Sequence, residues 1–301
     1  MTNEKTILVG YDGSAGANLA LAWALDEAAR TGGPVRLGYG FEWLTAYSWL
    51  GPAVGMGVPP NMTGDAEARR RVAELLDDAV AKAAGSHPGV SVSAEVLDGP
   101  PVSRLLDASA GAAMLVLGSR GHGGFTGLLT GSTTVALTAH AHCPVVVVRE
   151  GPGVPSGPVL VGVDGSEHSL RALDFAAGRA TARGLRLSVV RALPAPEDWP
   201  ADPADRDAGA VVARAQAALD DLVHRSSAAG LEVSTEVVLG SAAEALIQRS
   251  RDAALVVVGS RGRGGFTGLL LGSVSQQLLQ HAHCPIAVVR ELAGQDPPAA
   301  G

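Results

Sequence analysis

Two stretches of the chain hold residues that could do chemistry, and they are nearly the same stretch. Residues 118–132 read GSRGHGGFTGLLTGS and residues 259–273 read GSRGRGGFTGLLLGS, identical at thirteen of fifteen positions. Closely spaced glycines leave backbone N–H groups uncovered, and such groups are donors for phosphate oxygens. Each copy ends in Gly-Ser at the start of a helix-like segment, whose N-terminal dipole favours the same anion. Neither copy has a Lys, so neither is a Walker A loop with its Gly-Lys-Ser/Thr. Nor is either the Gly-x-Gly-x-x-Gly of dinucleotide folds, which follows the first strand; the first strand here leads into Asp12-Gly13-Ser14. The copies differ in charge at one place, His122 against Arg263. Arg263 would favour a bound anion at any pH, His122 chiefly when protonated.

The elements that must position these loops also come in two sets. Each loop follows a short apolar run, 114–117 and 255–258, and leads through a helical segment to His-Ala-His-Cys-Pro, at 140–144 and 281–285. Asp12-Gly13-Ser14 recurs as Asp164-Gly165-Ser166. In the first unit the pattern predicts strands at 5–11, 35–43, 90–97, 113–117 and 144–149, with helices at 15–31, 65–84, 101–110 and 132–141. In the second it predicts strands at 159–163, 185–193, 231–239, 254–258 and 285–290, with helices at 167–183, 207–229, 241–250 and 273–281. Alternating helices and Val/Leu/Ile-rich strands imply an α/β fold: two tandem, doubly wound, parallel five-stranded sheets of Rossmann-like type. The expected division is a first module at 1–150, a Pro/Gly-rich linker at 151–158, a second module at 159–291 and a loose tail at 292–301. The long loop at 44–64, with Trp49, reads as a lid or contact surface; its counterpart at 194–206, with Trp199, is a loop. In sheets of this type ligands sit beyond the C-terminal strand ends where the winding reverses. If the first and fourth strands are neighbours there, Asp12 shares a crevice with Gly118, and Asp164 with Gly259.

Composition narrows the classes. A chain of 301 residues with 47% hydrophobic and 18% charged residues suits two globular domains. A net charge of −7 and 4% aromatic residues disfavour nucleic acid as a partner. No apolar run approaches bilayer length, and the N-terminus lacks the shape of a signal peptide. Two cysteines at equivalent positions, Cys143 and Cys284, suit a reducing compartment, so the expected location is the cytoplasm. The His-Ala-His-Cys segments do not supply four metal ligands of suitable geometry, and no protein-held metal is expected.

The spacing Gly-x2-Gly-x9-Gly-Ser, as Gly118/Gly121/Gly131-Ser132 and Gly259/Gly262/Gly272-Ser273, resembles the ATP-binding signature of the universal stress protein family. The resemblance extends to VGYDGS, VGVDGS and both HCP segments, and it covers nearly the whole chain as a tandem pair like those of actinobacteria. It implies an adenine nucleotide alpha hydrolase-like fold with one ATP per unit and Mg²⁺ held mainly by the phosphates. It further implies that Asp12 and Asp164 sit by the adenosine, near Gly10 and Gly162, with Gly40 and Ala192 beside adenine. Gly118, Ser119, Arg120, Gly121, His122, Gly123 and Gly124 would wrap phosphates and ribose, as would Gly259, Ser260, Arg261, Gly262, Arg263, Gly264 and Gly265. Gly131, Ser132 and Thr133, and Gly272, Ser273, Val274 and Ser275, would complete the cradles.

No nucleophile–base pair or acyl-transfer triad is visible, so the expectation is a regulatory, stress-responsive nucleotide sensor rather than an enzyme. The alternatives are a slow ATPase or nucleotide-transferring enzyme on the same sites, or an interaction module with vestigial sites. The Val-rich final strands, as sheet edges, are expected to pair with each other or across a homodimer.

Overall fold

A computed structural model of the chain describes residues 5–42, 63–121, 130–149, 151, 154–195, 207–263 and 270–290. The expected lid at 44–64, the strand end Trp43, the loop residue Trp199, the loop positions His122, Gly123, Gly124, Gly264 and Gly265, and the tail lie outside these residues. The chain divides into two compact units, Met1–Arg149 and Glu150–Gly301. No helix among the described residues is long and apolar enough to cross a membrane.

In unit 1 the elements are β1 (Ile7–Gly10), α1 (Ala15–Thr31), β2 (Val35–Phe41), α2 (Thr63–Ser86), β3 (Val92–Asp98), α3 (Pro101–Ser109), β4 (Met114–Gly118), α4 (Ser132–His140) and β5 (Val145–Val148). The strands are parallel, in the order β3-β2-β1-β4-β5. Unit 2 repeats the plan with β6 (Val159–Gly162), α5 (Glu167–Arg183), β7 (Leu187–Leu193), α6 (Ala208–His224), β8 (Val233–Leu239), α7 (Ala242–Arg249), β9 (Leu255–Gly259), α8 (Ser273–His281) and β10 (Ile286–Val289). Its order is β8-β7-β6-β9-β10, again parallel. Both are doubly wound α/β sheets. The first strand of each lies between the second and the fourth, as the crevice requires.

Local chemistry explains the elements. Ser14 caps α1 by accepting the Ala17 N–H at 3.1 Å, and Gly32 closes it in the left-handed region at φ 71°. Ser166 and Gly184 do the same for α5. The faces these helices turn to the sheet are small: Ala17, Ala20, Ala24 and Ala28 in α1, and Ala172, Ala176, Ala177 and Ala180 in α5. Small side chains let a helix lie close on the buried Val and Leu of the strands.

One predicted helix is shorter than expected. The apolar pattern runs on to residue 229, but α6 ends at His224. Ser226 turns back to donate to the Val223 carbonyl at 2.8 Å, while Ser227 bonds Asp174 at 2.6 Å. These side chains compete with the helix ladder, and Gly230, at φ 95°, completes the turn.

Leu115 in β4 is fully buried, whereas Leu19 on α1 is 36% exposed. Leu115→Ala is expected to cost about 2–5 kcal/mol in unit 1, and Leu19→Ala within about 0.5 kcal/mol of zero. Urea unfolding midpoints of the two variants measure the contrast.

Candidate functional site

The site in unit 2 is built around one carboxylate. Asp164 follows β6, and its Oδ1 accepts the Ser166 N–H at 2.9 Å while Oδ2 accepts the Arg263 N–H at 2.8 Å. The first bond closes the Asp-Gly-Ser turn, in which Gly165 takes φ 80°. The second ties that turn to the glycine loop after β9. Gly262 has no room for a side chain, because a Cβ there would lie 2.5 Å from Asp164 Oδ2. Burial pushes the Asp164 carboxyl up, but hydrogen bonds from Ser166, from the Arg263 backbone and from Ser169 outweigh it and hold the group below its ordinary value. Ser169 supports the turn by accepting the Gly165 N–H at 3.1 Å and donating to the Ser166 carbonyl at 2.8 Å.

The far side of the loop is pinned to α8. Gly272 N–H donates to the Ser260 carbonyl at 2.8 Å, and Ser275 Oγ donates to the Gly272 carbonyl at 2.8 Å. Gly272 is the N-cap of α8 and supplies no side-chain cap, so the first N–H groups of the helix are not taken up by a capping side chain. Between turn, loop and helix lies a cavity of about 450 Å³. One end is apolar, with Val163, Val190, Ala192, Ala242, Leu246 and Val258. The other carries Gly259, Ser260, Arg261, Gly262, Arg263 and the start of α8 from Gly272 to Ser275. An apolar slot leading to a backbone-rich, cationic end fits a flat ring joined to an anion.

The described residues of unit 1 repeat part of this arrangement. Asp12 Oδ1 accepts the Ser14 N–H at 3.0 Å, and Gly121 packs so close to Asp12 Oδ2 that only glycine fits. Gly131 N–H donates to the Ser119 carbonyl at 2.8 Å, and Thr134 Oγ1 to the Gly118 carbonyl at 3.0 Å. Gly118 touches the backbone of Gly16, and a Cβ on Gly118 would lie 2.5 Å from the Gly16 carbonyl carbon. Tyr39 stands near Asp12; burial and then the Asp12 charge raise its pKa. Ser132 and Thr133 are both exposed at the start of α4.

The units differ in what covers the turn. In unit 1 the Leu75 side chain from α2 lies over Gly13; in unit 2 the Arg263 guanidinium lies over Gly165. Matching the buried faces of α2 and α6 (Ala79 and Ala83 with Leu219 and Val223) puts Ala215 opposite Leu75. The smaller residue leaves Arg263 its place. The units differ again where the second strand of each sheet meets the next helix start. Gly40 packs directly on Pro101 at the start of α3, whereas Ala192 and Ala242 stand at the equivalent places and both line the cavity. Gly10 and Gly162 are likewise pressed by Leu117 and Leu246.

Ser169, Leu246 and Ala242 were not legible as site residues. Ser169 has Ala17 as its counterpart, so the repeat gave no signal, and the other two read as ordinary helix positions. The His-Ala-His-Cys segments are structural. Fully buried Ser109 accepts the His142 N–H at 3.0 Å, and Ser250 accepts the His283 N–H at 2.9 Å. Burial pushes the Cys143 thiol up to about 12, leaving it an inert core group. Among the described residues no group of three or more His, Cys, Asp or Glu could hold a metal ion.

Comparison with known proteins places this architecture. The universal stress protein family model matches residues 4–149 and again 156–290. A universal stress protein of Mycobacterium tuberculosis is 34% identical over 299 residues, covering 95% of this chain and 96% of that one. One from Mycolicibacterium smegmatis is 34% identical over 290 residues, covering 95% and 97%. The crystal structure of a universal stress protein from Archaeoglobus fulgidus shares the fold at a TM-score of 0.71, with 20% identity and coverage of 95% and 98%. The chain belongs to the universal stress protein family, as a tandem of two family units.

The bond between Asp164 and the loop has a pH signature. Its folded pKa is depressed, so its stabilisation is present above the ordinary value of 3.8 and is lost as pH falls through the lower folded value. Asp164→Asn is expected to cost about 1–2 kcal/mol at neutral pH, part-screened by solvent. The difference from wild type should stay level down to about pH 5 and shrink in stronger acid. Denaturation measured across pH reads it; a cost that grows in acid contradicts the assignment.

Proposed function

We propose that the protein binds ATP in its units and acts as a nucleotide-dependent regulator of stress response rather than as a turnover enzyme. The observation that carries this is the unit 2 cavity, where an apolar slot leads into a glycine loop and a helix N-terminus. Adenine would lie against Ala192 and Leu246, and the ribose beside Asp164. The phosphates would take the N–H groups of Gly262 and its neighbours and of the α8 start. Mg²⁺ would be held chiefly by phosphate oxygens, as is usual for a cation that keeps its waters. The family membership supports a nucleotide-scale ligand here, and the repeated joints in unit 1 support a second site. Asp164 is engaged by two backbone N–H groups, which suits it to shaping the site more than to taking a proton. Nucleotide would act through the glycine loop that this carboxylate holds.

The test is to denature purified protein, identify any released nucleotide by chromatography and mass, and titrate the stripped protein with ATP. About two ATP per chain are expected, with hydrolysis slower than roughly one per minute. In Gly262→Ala the new Cβ collides with Asp164 Oδ2, and one of the two sites should be lost. Absence of adenine nucleotide binding contradicts the proposal, and fast turnover replaces the regulator with an enzyme.

A further inference from the structure

The C-terminal end of β10 brings a further arginine to the glycine loop of unit 2. β10 runs parallel to β9 with Val289 opposite Gly259, and the Ser260 N–H donates to the Val289 carbonyl at 2.8 Å. The next residue, Arg290, therefore stands beside the first residues of the loop. Its Nη1 is buried and has no hydrogen-bond partner among the described residues. Among the described residues no carboxylate pairs with Arg290 or with Arg261. Burial, and then the positive charge of Arg261, make the Arg290 guanidinium easier to deprotonate than usual. Arg261 lines the cavity, and its Cα lies against the helix-capping Gly272, where a Cβ would be 3.5 Å away.

Two guanidiniums that repel, one with an orphaned donor, weaken the fold unless an anion comes between them. Planar guanidinium forks suit phosphate oxygens above other anions. The strand order supplies the direction. Ala192 is on β7, Asp164 follows β6, the glycine loop follows β9 and Arg290 follows β10, and these strands stand side by side in that sequence. A ligand with its ring by Ala192 and its first phosphate at the glycine loop has its last phosphate on the Arg290 side.

We propose that Arg261 and Arg290 receive the terminal phosphate of the nucleotide held in unit 2, so that this site selects polyphosphates over monophosphates. The assignment rests on the adenine-nucleotide reading of the same cleft. Calorimetric titration of the full chain with ATP, AMP and inorganic triphosphate tests it, comparing wild type with Arg290→Gln and Arg290→Lys. Unit 1 is unchanged in all three, so differences report on unit 2. Arg290→Gln is expected to weaken ATP at that site about tenfold and to leave AMP unchanged, with partial recovery in Arg290→Lys. Unchanged ATP affinity in Arg290→Gln, or ATP and AMP weakened alike, overturns the proposal. If wild type binds neither nucleotide, the nucleotide reading falls and inorganic triphosphate judges the arginine pair alone. Binding that Arg290→Gln abolishes supports the pair; equal binding or none overturns it.

Discussion

The carboxylate of Asp164 holds the crevice of unit 2 together. One oxygen closes the turn after β6 and the other fastens the loop after β9. Two neighbouring strand ends are thereby joined at the point where the sheet reverses its winding. The constraint reaches into the sequence around it. Position 262 has to be glycine because the carboxylate fills the space of a Cβ, and Gly165 has to adopt a positive φ for the turn to form. With the loop fixed, its N–H groups and the uncapped start of α8 face one cavity.

The same framework serves both units, but the furnishings differ. The turn is covered by the apolar Leu75 in unit 1 and by the cationic Arg263 in unit 2. The meeting of strand and helix start has the Gly40–Pro101 pair in one and Ala192 with Ala242 in the other. From unit 1 to unit 2 the first exchange moves bulk from a helix to the glycine loop and the second from a helix start to a strand. Duplication followed by such exchanges leaves one architecture with different linings, and in unit 2 the cationic cover lies by the cavity that Arg261 also lines.

Much of this was legible in the residues. The duplicated glycine loop, the Asp-Gly-Ser turns and the strand alternation pointed to two parallel doubly wound sheets, and the neighbouring of first and fourth strands followed from that plan. What was not legible depends on contacts between distant segments. That Asp164 accepts the Arg263 N–H across 99 positions is a property of the packed crevice. The end of α6 was overrun because Ser226 and Ser227 divert the backbone, whereas the apolar pattern continues. Leu75 and Arg290 carry no motif. Their places are set by a helix crossing and by strand register, which a repeat comparison does not weigh.

The most direct measurement is a crystal structure of the full chain grown with saturating ATP and Mg²⁺. The account predicts, in unit 2, adenine between Ala192 and Leu246 and phosphates on the loop from Gly262 to the start of α8, with the Asp164–Arg263 backbone bond intact. An empty unit 2 cavity, or a nucleotide bound there with its phosphates turned away from the glycine loop, would contradict it.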